Sequence, residues 1–183
     1  IAVDLEAVRE TRRQAIETPA GTDPDAKALW QRETAAVTLA DVAAAHSNVE
    51  RARLEELVPG RRVFELPLPV ARVSAGSSPF SERAGFVFVG STHPPNVDAI
   101  TYFVSAVWPR IREALGDVTL SVVGEVCLRV PELARLPGVA LVGHVADLGE
   151  WLGRARVFVA PLRYGAGIKG KILTAMHAGV PVV

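Results

Sequence analysis

The most constraining feature of this chain is a rhythm that begins at Phe86. Short, nearly continuous apolar runs recur at residues 86–89, 120–123, 139–142, 157–160 and 181–183, and each is separated from the next by a longer segment. A run such as Phe86-Val87-Phe88-Val89 has no polar alternation, which is the pattern of a strand buried on both faces. The intervening residues 95–115, 131–136, 148–154 and 168–178 have helical character. Alternating strands and helices predict a parallel sheet with right-handed crossovers, a doubly wound α/β domain. Ligands in such sheets lie outside the carboxyl ends of the strands. That singles out Gly90-Ser91-Thr92, Gly124-Glu125, Gly143-His144 and the stretch 161–170.

The first third reads differently. Residues 1–58 carry apolar positions spaced by threes and fours among charges, with a break at residues 18–24. Asp23 is placed to cap a second helix with Pro24 at its first position, and Ser47 with Glu50 three residues later forms a capping box. Residues 62–66 predict a strand, and the Pro-, Ser- and Ala-rich residues 67–83 predict a connection. The resulting division is 1–70, a linker at 71–84, and 85–183. The chain opens on Ile1 and closes on the apolar Val180-Pro181-Val182-Val183, which reads as a piece of a longer protein.

Charge and cysteine content narrow the function. Twenty basic and twenty acidic residues give a formal net charge of zero, so no global field draws the chain to nucleic acid or an anionic membrane, and any anion site is local. The single cysteine, Cys127, rules out an internal disulfide and fits a reducing, cytoplasmic setting. No stretch reaches the roughly 20 apolar residues that span a bilayer, so membrane association is peripheral at most. The histidines His46, His93, His144 and His177 show no metal-ligand spacing, and no metal is expected.

The segment from Pro161 to Lys171 is the most informative. Gly165, Gly167 and Gly170 satisfy G-x-G-x-x-G, and Gly165, Gly170 and Lys171 satisfy G-x-x-x-x-G-K. The dinucleotide fingerprint belongs directly after the first strand of its unit, whereas here four residues intervene and three strand units come earlier. The P-loop needs Ser or Thr after the lysine, and position 172 is Ile. What both share survives: a helix N-terminus with unpaired N–H groups favours an anion, and Lys169 and Lys171 stand in that first turn. A phosphate or pyrophosphate among the loop amides, Arg163 and Lys169 is one reading; lysines pointing into water is the other. Trp108, Phe103 and Ile111 fall at helical spacing as core, Cys127 as a small hydrophobe, and Arg9, Arg12 and Arg13 alternate with acids as a solvated helix face, with an acidic lipid or an acceptor phosphate as a second use.

Several motifs in this order carry a resemblance: Phe88-Val89-Gly90-Ser91, Pro95-Asn96-Val97-Asp98-Ala99, Val107-Trp108-Pro109, Val142-Gly143-His144-Val145, residues 155–163, Gly165-Ala166-Gly167-Ile168-Lys169-Gly170-Lys171 and Ala178-Gly179-Val180-Pro181. The chain resembles the carboxy-terminal domain of group 1 (family 4) glycosyltransferases of GT-B architecture, over residues 86–183 and more weakly over 1–70. There Val3-Asp4-Leu5, the arginine cluster, Glu33 and Ser47 with Glu50 resemble the end of an acceptor-side, Rossmann-like domain, here a mostly helical remnant. The resemblance implies a retaining transfer of sugar from a nucleotide diphosphate sugar to an unknown glycan, lipid or small-molecule acceptor, with no cofactor and no metal. It implies that Gly90 and Ser91 approach the diphosphate and that Gly143, His144 and Val145 lie by the nucleobase. It also implies that Arg163 and Lys169 act in catalysis, with Gly165, Ala166, Gly167, Ile168 and Lys171 around phosphates and sugar. Many members carry two glutamates eight positions apart, where this chain has Ala166 and Thr174; a threonine hydroxyl still reaches a ribose oxygen, as a weaker, uncharged contact. Two other readings stay open: a non-catalytic nucleotide-sugar or phosphate-binding module, and an NAD-dependent oxidoreductase.

Overall fold

The computed structural model describes residues 5–17, 24–70 and 78–183. Asp23, Val3, Asp4 and residues 71–77 of the expected linker lie outside those residues. The chain divides into two compact units, one holding residues 1–69 and Arg163–Lys169, the other Val70–Leu162 and Gly170–Val183.

In the first unit, helices α1 (Glu6–Glu17), α2 (Pro24–Leu39) and α3 (Asn48–Leu57) accompany two short parallel strands, β1 (Ala43–Ala45) and β2 (Val63–Glu65). β2 falls where the sequence predicts a strand, and α2 does begin at Pro24. β1 is an addition: three alanines carry no β-branched or aromatic signal, and it is their burial against Val63 and Leu54 that makes them a strand. Ser47 caps α3, accepting from the Glu50 N–H at 3.2 Å. The return bond differs from a standard capping box, because the Glu50 carboxylate accepts from the Ser47 hydroxyl at 2.9 Å rather than from its backbone.

The second unit is the expected α/β layer. Strands β3 (Ala84–Val89), β4 (Leu120–Val123), β5 (Val139–Gly143) and β6 (Ala155–Phe158) are all parallel, in the order β5-β4-β3-β6. Alternate residues of each strand enter opposite cores. Phe88, Leu120 and Val122 join Ile100, Phe103 and Trp108 on one face, and Val87, Val123 and Phe158 join Leu152, Ala175 and Ala178 on the other. This is why the strand sequences lack polar alternation. Each large side chain so buried contributes about 1.5–3 kcal/mol. Val182 pairs with Phe158 in a parallel bridge, so the closing apolar run lies on the outer side of β6.

The helices show two corrections. The expected helix over 95–115 is three pieces: α4 (Pro94–Tyr102), a π-helical turn Phe103–Val107, and α5 (Trp108–Leu115). The cause is Pro109, which cannot donate to the Ser105 carbonyl and whose ring crowds it. The chain widens instead, so that the Trp108 N–H reaches back to the Phe103 carbonyl. Trp108 is then core, as expected, its indole N–H donating to Pro137 O at 3.1 Å and its ring edge-on to Phe86 at 5.6 Å. The expected helix 131–136 is a 3-10 turn, and a second 3-10 turn, Glu125–Arg129, precedes it. Helix α6 (Leu148–Arg154) has its expected bounds and is capped by Asp147, which accepts from the Gly149 N–H at 2.8 Å.

Candidate functional site

The order β5-β4-β3-β6 reverses direction at β3: successive strands step one way to β5, then β6 returns to the other side of β3. In an open parallel sheet this reversal opens a crevice at the carboxyl ends. Three glycines stand there on neighbouring strands. Gly90 follows β3, Gly124 follows β4 and Gly143 ends β5, linked by Gly90 N–H to Val123 O at 3.0 Å, Val126 N–H to Gly90 O at 3.1 Å and Gly124 N–H to Gly143 O at 2.6 Å. Gly124 takes a φ of +104°, and a Cβ there would fall on the Gly90 carbonyl oxygen. This rim is backbone without side chains, as close approach of a ligand requires.

Helix α7 (Gly170–His177) is anchored to the same rim. The Lys171 ammonium donates to Val89 O at 3.0 Å and to Asn96 Oδ1 at 2.6 Å, and lies 4.7 Å from the centre of the Phe88 ring. Asn96 in turn donates to Ser91 O at 3.3 Å and Ser91 Oγ at 3.1 Å. Gly90, Ser91 and Lys171 are thus brought together through Asn96, a residue that sequence reasoning quotes only as part of a motif. The available signal was its place, two residues into the first turn of the helix that follows β3. Thr174 donates its hydroxyl proton to Gly170 O at 2.9 Å, so toward a ribose it acts as an acceptor only. His144 is exposed and makes no hydrogen bond among the described residues, and Val145 packs partly against the apolar cluster of Phe158 and Leu152.

The glycine-lysine segment itself is divided. Gly170 and Lys171 belong with the second unit, Arg163–Lys169 with the first. The final helix begins at Gly170, not at the expected residue 168, so Lys169 precedes it. The Lys169 ammonium turns back onto the loop, donating to Ala166 O and to Gly167 O at 3.2 Å. Neither lysine simply points into water, because each finds carbonyl acceptors. Arg163 is exposed, Tyr164 and Gly165 are buried, and Ile168 is partly exposed. Arg12 donates to Gly165 O at 2.7 Å. Sequence reasoning missed that contact: Arg9 and Arg13 pair with acids of their own helix, Glu6 for Arg9 and Glu10 and Glu17 for Arg13, whereas Arg12, exposed as expected, reaches the 163–169 loop instead. Beside it lies a cavity of about 560 Å³ lined by Leu5, Val8, Arg12, Glu50, Ala166 and Ile168 among others. Among the described residues no three His, Cys, Asp or Glu side chains gather as a metal would need, and no helix is long and apolar enough to cross a membrane.

Comparison with known proteins agrees with this architecture. Solved structures with the same fold include a TarM mutant from S. aureus in complex with fondaparinux, α-GlcNAc-glycerol and UDP, at 12% identity and a TM-score of 0.71, over 99% of this chain and 35% of that one. The pneumococcal O-GlcNAc transferase GtfA in complex with UDP and GlcNAc matches at 17% identity and 0.64, over 85% of this chain and 32% of that one. Anabaena HepE in complex with UDP and glucose matches at 13% identity and 0.59, over 85% of this chain and 47% of that one. The chain therefore spans a third to a half of the length of these structures. No curated protein matches its sequence. The family of glycosyl transferases group 1 matches residues 83–183, more than half of the chain and the whole of its four-stranded sheet, and the chain belongs to that family.

Proposed function

We propose that this chain is the donor-holding part of a retaining glycosyltransferase, which takes a sugar from a nucleotide diphosphate sugar and passes it to a glycan, lipid or small-molecule acceptor. The observation that supports it most is the side-chain-free rim of Gly90, Gly124 and Gly143 at the sheet's reversal point, with the N-terminus of α7 tied to that rim by Lys171. Backbone amides and a helix N-terminus suit a diphosphate, whose charge grows as it leaves the sugar. Arg163 and Lys169 are the cations assigned to that charge, and the reading asks for no metal. Gly143, His144 and Val145 are assigned to the nucleobase side, Gly165 to Ile168 to the sugar, and Thr174 to the ribose. Residues 1–70 are assigned to the acceptor side, 71–84 to the connection and 85–183 to the donor. TarM, GtfA and HepE are each described in complex with UDP, which favours uridine as the nucleoside. A cytoplasmic location goes with a chain holding one cysteine.

Calorimetric titration of the chain with UDP, GDP, ADP and NAD⁺ tests this, with EDTA present in a parallel series. Saturable UDP binding that persists in EDTA and weakens in Lys169→Ala is the expected result. Binding of NAD⁺ alone would overturn it in favour of an oxidoreductase. Thr174 and Ala166, standing where many relatives have glutamates, favour one further reading, a binding module without turnover. Sugar transfer by the full-length protein, lost in Lys169→Ala with folding intact, separates the two.

A further inference from the structure

The hydrogen-bond polarity around Asn96 is settled by chemistry. A lysine ammonium only donates, so the amide atom 2.6 Å from Lys171 Nζ is the oxygen, and the NH₂ faces Ser91. The Ser91 hydroxyl oxygen, 3.1 Å away, therefore accepts from Asn96, and its own proton must point elsewhere. Among the described residues nothing accepts that proton, and Ser91 is exposed at the rim beside Gly90. Lys171 is itself fixed by Val89 O and the face of Phe88, so the amide cannot turn over without facing its NH₂ toward a cation.

We infer that Asn96 is a positioning residue: it carries the donor-only character of Lys171, 75 residues away in sequence, to Ser91, and presents the Ser91 O–H as a donor to an oxyanion of the ligand at the rim. This rests on the donor-site reading above, and names diphosphate oxygen as the group that Ser91 recognises. Lys171, by this reading, serves the site chiefly by setting the polarity of the relay. Asp at position 96 would reverse it. A carboxylate still satisfies Lys171, but it draws the Ser91 proton onto itself and away from the ligand.

The test is a double-mutant cycle on UDP affinity, measured by calorimetry on the chain with Ser91→Ala, Asn96→Asp and both. Removing a hydroxyl that donates to a charged oxygen costs about tenfold in affinity or more. The expected result is about that loss for Ser91→Ala in the unaltered background, retention in Ser91→Thr, and less than a twofold further loss for Ser91→Ala once Asn96→Asp is present. A merely structural Asn96 would leave the Ser91→Ala loss equal in both backgrounds, which would overturn the inference. Lys171→Met gives a second route that does not introduce a charge: with the amide free to turn, the Ser91→Ala loss is expected to shrink, and an undiminished loss counts against the relay. Absence of UDP binding by the unaltered chain would instead defeat the donor-site reading, and the relay with it.

Discussion

Two glycine-bearing regions of this protein use the same residue for different ends. On the rim of the sheet, Gly90 is required by the side chains packed against it and Gly124 by the backbone. A Cβ on Gly90 would meet Phe88 Cε1 at 2.9 Å and Asn96 Cβ at 3.0 Å, and one on Gly124 would collide with a carbonyl oxygen. In the loop Arg163–Lys169, Gly165 instead leaves room for a side chain, since its Cβ would sit 2.9 Å from Lys169 Nζ and 3.0 Å from Lys169 Cε. The rim is rigid geometry, and the loop is a seat for a flexible cation. Overlapping glycine motifs in a sequence therefore say little until the reason for each glycine is known.

The largest effect expected is for Gly124→Ala, where a positive φ and a backbone collision combine; a loss of about 3 kcal/mol or more in chemical denaturation follows. Gly143→Ala sharpens the point. Gly143 has a φ of +80° but open space around it, so only the conformational strain of about 1–2 kcal/mol remains. Equal losses at the two positions would break the claim that close approach matters at the rim. Arg12→Ala removes the charged donor to Gly165 O and is expected to speed amide hydrogen exchange within residues 163–169 while leaving β3 and β4 protected. Gly165→Ala is expected to cost about 1–2 kcal/mol, because its φ of +159° is one that L side chains rarely adopt, while the far end of Lys169 can move aside. Its expected signature is weaker UDP binding with a loss of stability below that of Gly124→Ala, and a Gly124-sized loss would erase the distinction between the two regions.

Much of the second unit was legible because burial on both faces leaves a local trace. β4 and α6 have the bounds their sequences suggest, and β5 runs one residue further, to Gly143. β6 begins two residues earlier than expected, at Ala155, because a small alanine and an exposed Arg156 hide the first half of the strand. The π-helical turn was hidden in a different way. Pro109 announces a conflict, but whether a helix kinks, ends or widens depends on what its far side must bury, here Trp108 against Phe86 and Phe103. In the first unit, β1 had no trace at all, since alanines adopt whatever their partners require.

By itself the sequence determined the alternation of strands and helices after residue 84, the opposed cores that follow from unbroken apolar strands, and the glycines at the strand ends. These are properties of periodicity and of single residues. Only the tertiary structure decided where the cations go. Lys171 meets Asn96 across 75 positions and Arg12 meets Gly165 across 153, while Lys169 turns back on its own loop. A long side chain with several rotatable bonds carries no periodic signature of its acceptor, which is chosen by whichever carbonyl or amide the folded backbone places within reach.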